Sequence, residues 1–234
     1  MKKIKVLSII MPVYNEKSRI EKAIKEVKRV KLFSMKKQII IIDDCSTDGT
    51  RDILRKIQKR DKSIIVVFKE KNQGKGSAVR EGIKYATGDF IIIQDADLEY
   101  TPEDYSIMLM PVLKGYADVV YGSRFLGPHR SFLFWNYMAN KFLNFFTNFI
   151  YNTTLTDMET CFKLFKSEII KNIKLRSNGF EIEPEITSKV LKKNVRIYEV
   201  PIQYFGRGYE EGKKIKAIDG IKAFWTLLWY RFFD

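Results

Sequence analysis

The chain has 234 residues, a length that suits one large domain or two small fused halves, and its 45% hydrophobic content can bury a substantial core. Its 42 Lys and Arg against 28 Asp and Glu give a formal charge of +14, which points to anionic partners: nucleic acid, a phosphorylated substrate or an acidic membrane surface. One histidine, His129, and two cysteines, Cys45 and Cys161, with no CxxC pair, exclude a disulfide framework and speak against a zinc site, so a reduced, cytoplasmic setting is expected.

The opening MKKIKVLSIIMPVYNE mimics a signal peptide, but its apolar run is short, is stopped by Pro12, and meets Asn15 and Glu16 at once. It reads as a first strand. SRIEKAIKEVKRV places Ile20, Ala23, Ile24, Val27 and Val30 at helical spacing, with Ser18 and Glu21 as a capping box. QIIII is an apolar strand ended by Asp43 and Asp44, and GTRDILRKIQKR a second helix. SIIVVF is a third strand and GSAVREGIKYAT a third helix, with Gly88 placed to stop it. FIIIQ is a fourth strand; TPEDYSIMLMPVL starts with Thr101 as cap and Pro102 at the first helical position. ADVVYG is a fifth strand. Beyond Ser131 come an aromatic segment to Leu155, then CFKLF, a helix near EPEITSKVLKK, strands VRIYEVP and QYF, and the loop GRGYEEGKK. The chain closes on IKAIDGIKAFWTLLWYRFFD. No charge-free apolar run of about 18 residues occurs, so no transmembrane helix is expected.

Alternating strands and helices with uniformly apolar strands imply a mostly parallel sheet covered on both faces. Ligands of such sheets bind beyond the carboxyl ends of the strands. At those ends stand Pro12 to Glu16, Asp43-Asp44, Lys71 to Gly76, Asp95-Ala96-Asp97 and Gly122-Ser123-Arg124. Asp95 and Asp97, one residue apart, point to the same side and repel each other unless a cation stands between them and a ligand. A hard divalent ion, Mg2+ or Mn2+, on a nucleotide diphosphate suits such oxygen ligands; the bland alternative is a solvated strand end. Lys75 and the glycines of NQGKG suit an approach to phosphate or ribose, or make an ordinary turn before a helix; the spacing of a P-loop is absent.

MPVYNE, IIDDCSTDGT, NQGKG, QDADLEY and YGSR, in this order and spacing, resemble family 2 glycosyltransferases of the GT-A fold. More narrowly they resemble the dolichol-phosphate mannose and glucose synthase branch. TDMETCFKLF, GFEIEPEI and VPIQYFGRGYEEGKK extend the likeness over the whole chain. The resemblance implies an α/β, Rossmann-like, mostly parallel sheet flanked by helices on both faces, in a single domain over residues 1–234. Within it, 1–122 is the nucleotide-sugar half, 123–214 the acceptor half and 215–234 an amphipathic helix. It further implies an inverting, metal-dependent transfer of a hexose from a GDP-mannose or UDP-glucose type donor to a polyprenyl or dolichyl phosphate. Pro12, Tyr14 and Glu16 lie along the nucleotide, and Asp43 or Asp44 meets the base, with Lys75 also on the donor. Asp95 serves ribose and metal, Asp97 the metal on the diphosphate, and Arg124 a phosphate of donor or acceptor. Glu183 and Glu185 fall where the family places acidic or amide residues near the donor sugar, although Glu183 equally suits a helix cap. Asp97, Arg124 and Glu183 are thus the candidate catalytic residues. Cys45 departs from the pattern, since glycine is usual there.

A hydroxyl acceptor needs a general base; a lipid phosphate arrives as an anion and needs cations. Arg124, Arg130, Arg207, Lys213 and Lys214 are the candidates. The Ser131–Leu155 segment and the tail are too apolar for exposed loops and too interrupted to span a bilayer. Aromatics with basic flanks suit helices lying in the interface of an anionic, cytoplasmic membrane face; packing on the core or between two copies is the alternative. Many members of that branch carry transmembrane helices after the catalytic domain, so a membrane-protein partner or these two surfaces would take their place. Two other readings compete. One keeps the donor chemistry with a glycan or protein hydroxyl as acceptor. The other is a basic nucleic-acid-binding protein, against which stands the lack of any helix-turn-helix, zinc-finger or RRM motif.

Overall fold

The computed structural model describes residues 5–208 and 217–233. The first half alternates as its hydrophobic periods dictate: β1 (Val6–Val13), α1 (Ile20–Arg29), β2 (Lys36–Asp43), α2 (Thr50–Arg60), β3 (Ile64–Phe68), α3 (Lys75–Tyr85), β4 (Phe90–Ile93), α4 (Tyr105–Leu113) and β5 (Val119–Ser123). The second half adds α5 (Phe134–Tyr151), β6 (Lys163–Lys166), α6 (Ser167–Lys171), α7 (Ile182–Leu191), β7 (Ile197–Pro201) and α8 (Ala217–Phe232). The strands form one seven-stranded sheet in the order β3-β2-β1-β4-β6-β5-β7. All pairings are parallel except those of β6, which runs antiparallel to β4 and β5.

Successive residues of a strand point to opposite faces, and here both faces are dry. Ile9, Met11, Ile39 and Ile41 pack with α1 and α4, while Ile10, Ile40 and Ile42 pack with α3 and α7. Isoleucine therefore fills β2 without alternation, the signature of a sheet buried on both sides. Ile40 and Ile41 have no exposed surface, so truncating either to alanine costs about 2–5 kcal/mol.

Several local expectations change. The capping box at Ser18 and Glu21 does not form: α1 starts at Ile20 behind Arg19, without a side-chain cap, and the Glu16 carbonyl accepts from the Arg19 and Ile20 amides. Gly88 does not end α3, which closes at Ala86; it lets the chain pass against β1, where a Cβ would stand 2.7 Å from Val6 O and Ser8 Oγ. QYF makes no strand: Tyr204 alone bridges to Tyr100 and His129. Thr101 does cap, accepting from the Glu103 amide ahead of a short 3-10 turn at Pro102–Asp104.

The α5 and α8 helices pack on each other through Leu143, Ala223 and Leu227, with Phe224 stacked on Phe142 and tilted against Phe146. The rest of their aromatic set faces outward: Phe134, Trp135, Phe145, Phe149, Trp225, Trp229 and Phe232 are exposed. One face of each helix therefore joins the core, as the packing alternative has it, and another remains bare.

Candidate active site

The carboxyl ends of β1, β2, β4 and β5 open into a cavity of about 720 Å³, within the range of small-molecule sites. Pro12, Tyr14 and Glu16 line it from the end of β1, Asp44 from β2, Lys75 from the start of α3, and Asp95 and Asp97 from the end of β4. Arg124 enters from β5, Glu183 from α7, and Arg207 from the segment after β7. The opposite wall is made by α5 and α8, with Trp135, Asn136, Asn140 and Leu143 facing Asp219, Gly220 and Ala223.

The two aspartates left open after β2 separate cleanly. Asp43 is fully buried, bound to Arg51 Nε at 2.7 Å, and stands away from the cavity. Asp44 faces it, held by Lys69 Nζ at 2.6 Å and by the Gln73 and Gly74 amides. Cys45, next in line, has φ +64. A left-handed backbone costs an L-residue about 1–2 kcal/mol, which accounts for glycine in the resembling pattern. The thiol offsets part of this by donating to Glu70 O at 3.3 Å.

The second glycine of NQGKG has a structural reason. A Cβ on Gly76 would stand 2.5 Å from Ser177 O, because the Ser177–Gly179 backbone crosses the start of α3 there. Gly76 N and Ser77 N donate to Gly179 O and Asn178 O across the same contact. Gly76→Ala is therefore expected to destabilise the fold by about 1–3 kcal/mol by overpacking, read as a lowered urea midpoint; an unchanged midpoint would show that the loop yields freely. Lys75, between these glycines, lies within 2.9 Å of Asp95, 3.4 Å of Glu183 Oε1 and 2.7 Å of Cys161 Sγ. Burial alone would lower its pKa, but Asp95, Cys161 and Glu183 outweigh it and hold the amine well above its ordinary value.

Asp97 accepts from Arg207 Nη2 at 2.6 Å, and Glu99 from Arg207 Nε at 2.9 Å and Tyr204 Oη at 2.8 Å. Burial, then the charges of Asp95 and Glu99, push the Asp97 carboxyl up to about 7 against the pull of Arg207. Arg124 is gripped by Asp157 through Nε and Nη2, both at 2.7 Å, and reaches Asn140 Oδ1 at 3.3 Å. Glu183 accepts from Lys163 Nζ at 2.6 Å. Glu185 turns away to the Arg176 and Ser177 amides and Lys189. Arg130 is exposed and outside the cavity lining, donating to Gly206 O at 3.2 Å. Lys213 and Lys214 lie outside the described residues.

Eight carboxylates line the cavity among the described residues, against three cationic side chains, in a chain of net charge +14. Such an acidic pocket repels a diphosphate unless a cation comes with it. Among the described residues no group of three or more His, Cys, Asp or Glu is arranged to hold a metal. Asp95 and Asp97 thus fit a divalent ion that takes its remaining ligands from the diphosphate and water. Glu99, Asp157, Glu159 and Cys161 were missed by sequence reasoning: DLEY and TDMETC carry them, but nothing in their spacing marks a role.

Residues 8–174 match the sequence profile of Glycosyl transferase family 2. The chain belongs to that family. The family member is 30% identical over 201 residues to glycosyltransferase AglJ of Haloferax volcanii, spanning 85% of this chain and 63% of AglJ. It is 26% identical to the UDP-N-acetylglucosamine–dolichyl-phosphate N-acetylglucosaminyltransferase of Methanococcus voltae, over 96% of this chain and 95% of that protein. Glucosyl-3-phosphoglycerate synthase of Mycobacterium tuberculosis, crystallised with Mn2+, UDP and glucosyl-3-phosphoglycerate, superposes with a TM-score of 0.75 at 17% identity. That likeness covers 97% of this chain and 80% of the other, and it shows the GT-A fold.

Proposed function

We propose that this glycosyltransferase moves a sugar from a nucleoside-diphosphate donor to a polyprenyl or dolichyl phosphate, with inversion at the anomeric carbon. The observation that carries the reading is the acidic doublet Asp95-Asp97 at the end of β4, opening into a cavity whose far wall is the aromatic pair α5 and α8. Asp95 and Asp97 would hold a divalent ion, which when bound neutralises the charge that develops on the departing diphosphate. The Mn2+ and UDP of the structurally similar synthase and the dolichyl-phosphate acceptor named for the Methanococcus voltae relative support both halves of the reading.

The chain's own residues do the rest. Pro12, Tyr14, Glu16 and Asp44 line the nucleotide side, and Lys75 bridges Asp95 and Glu183, fixing the doublet relative to the sugar. The acceptor phosphate oxygen attacks the anomeric carbon directly and the nucleoside diphosphate leaves. Arg124 and Arg207 are the described cations on the acceptor side. No helix among the described residues is long and apolar enough to cross a membrane. The exposed aromatics of α5 and α8, flanked by Lys141, Lys222 and Arg231, suit the interface of an anionic leaflet, which brings the lipid phosphate to the mouth of the cavity.

The test is transfer of radiolabelled sugar from UDP-N-acetylglucosamine, UDP-glucose and GDP-mannose into a lipid extract, with and without Mn2+. Label in a mild-acid-labile, organic-soluble product is expected from one donor. Label only in water-soluble glycan or protein would replace the lipid phosphate with a hydroxyl acceptor.

A further inference from the structure

Glu159 is an acid of the cavity with no cation of its own. It stands in the loop between α5 and β6, lines the cavity, and its Oε1 is buried with no hydrogen-bond partner. Two cations face it, Lys163 from β6 and Arg124 from the end of β5. Each is already engaged: Lys163 donates to Glu183, and Arg124 forks onto Asp157. Its other charged neighbours, Glu183 from α7 and Asp157 from its own loop, are acids, and Asp219 of α8 lines the same cavity. Burial above all, with the charges of Glu183 and Asp157, pushes the Glu159 carboxyl up to about 7 against Lys163 and Arg124.

We propose that Glu159 receives the acceptor phosphate as a neutral carboxylic acid, donating its proton in a hydrogen bond to a phosphate oxygen. This rests on the phosphate-acceptor reading above. An ionised Glu159 would repel a phosphate dianion, since the cations nearby are each held by another acid. A protonated one supplies a donor, and the arriving anion tightens its hold on the proton. The second ionisation of a phosphate monoester lies near 6, so in the complex the single proton resides on Glu159 and the phosphate oxygens stay unprotonated. In the transfer one of them forms the new bond to the anomeric carbon. The bond from that carbon to the diphosphate oxygen breaks, the nucleoside diphosphate leaves with the electron pair, and the proton remains on Glu159. A carboxyl kept neutral so that it can donate is a known use of an apolar, acid-rich setting.

The experiment measures kcat/KM for dolichyl monophosphate in detergent micelles, with the sugar donor saturating, from about pH 6 to about pH 8.5. Wild type is expected to lose about tenfold per pH unit above about pH 7, through KM for the acceptor. Glu159→Gln, whose amide donates without titrating, is expected to start several-fold lower near pH 6 and then to stay flat, overtaking wild type in alkali. Glu159→Ala should be low throughout. The same alkaline fall in wild type and Glu159→Gln, with label still reaching the lipid phosphate, overturns the proposal and leaves the lipid-phosphate reading standing. Activity that rises through pH 7 and vanishes in Glu159→Gln overturns it too, making Glu159 a general base for a hydroxyl. Absence of label on dolichyl monophosphate in wild type overturns the acceptor reading and this proposal together. An infrared band of a protonated carboxyl at neutral pH, lost in Glu159→Gln, is the spectroscopic counterpart; its absence from wild type counts against the proposal.

Discussion

Asp97→Asn is expected to lower sugar transfer by about a hundred- to a thousandfold, the scale on which a single group aimed at developing charge acts, while making the ligand-free protein more stable at pH 8. The two effects have one origin. Asp97 is held up to about 7 by burial and by Asp95 and Glu99, against an ordinary value of 3.8. The folded state therefore binds this proton more tightly than the unfolded state. Stability falls as pH rises from about 4 to about 7, and above that range the penalty is fully present. An amide removes the titration and leaves Arg207 with Glu99, so a gain on the order of 1 kcal/mol at pH 8 is expected, and none from this cause below about pH 4. Thermal melts of both proteins from pH 4 to pH 8 read the difference in slope. Adding UDP with Mn2+ should raise the wild-type melting temperature by mass action and move the variant little. Unchanged activity in Asp97→Asn would remove the doublet from the chemistry; parallel melting curves would show that the acid is not desolvated.

Much of this arrangement was readable from the chain. The strands of the first half announced themselves because each is apolar on both faces, and a two-sided sheet leaves polar residues only at its ends. Asp44, Asp95, Asp97 and Lys75 therefore fell on one rim by topology alone. The parts that escaped were those fixed by long-range partners. Asp43 and Asp44 are identical in type and adjacent, and distant partners decide which faces the cavity: Arg51 on α2 for Asp43, Lys69 after β3 with the Gln73 and Gly74 amides for Asp44. Arg207 reads as a free cation in GRGYEEGKK, yet it closes on Asp97 and Glu99 across 110 and 108 residues. Arg130 reads the same way and points elsewhere. The antiparallel direction of β6 has no local signature either, since KLFK would pack equally well in both senses. The capping box failed because the Glu16 carbonyl was engaged with the first amides of α1 before any side chain was needed.

Arg124 carries the second large expectation, because its role depends on a partner that does not line the cavity. Asp157 is fully buried, and it takes Nε, Nη2 and the backbone amide of Arg124 at 2.7 to 2.9 Å. The pair ties the end of β5 to the loop that carries Glu159 and Cys161. Arg124→Ala leaves a buried carboxylate without its counter-ion and is expected to cost about 3–5 kcal/mol. Arg124→Lys keeps the charge but offers one ammonium in place of a planar fork, so about half of that loss is expected. Transfer should fall in Arg124→Lys by at least about tenfold even where the protein is fully folded, because an ammonium drawn to Asp157 no longer presents an edge to the acceptor. Urea titration and kcat/KM measured on the same preparations separate the two. If stability drops while transfer per folded molecule is unchanged, the fork is a brace between β5 and the loop of residues 157–162 and meets no phosphate. If transfer drops while stability is unchanged, Asp157 holds its charge by other means and the guanidinium serves the substrate alone. The buried fork predicts both losses together, since the side chain proposed to meet the acceptor is the one that holds the acid loop in place.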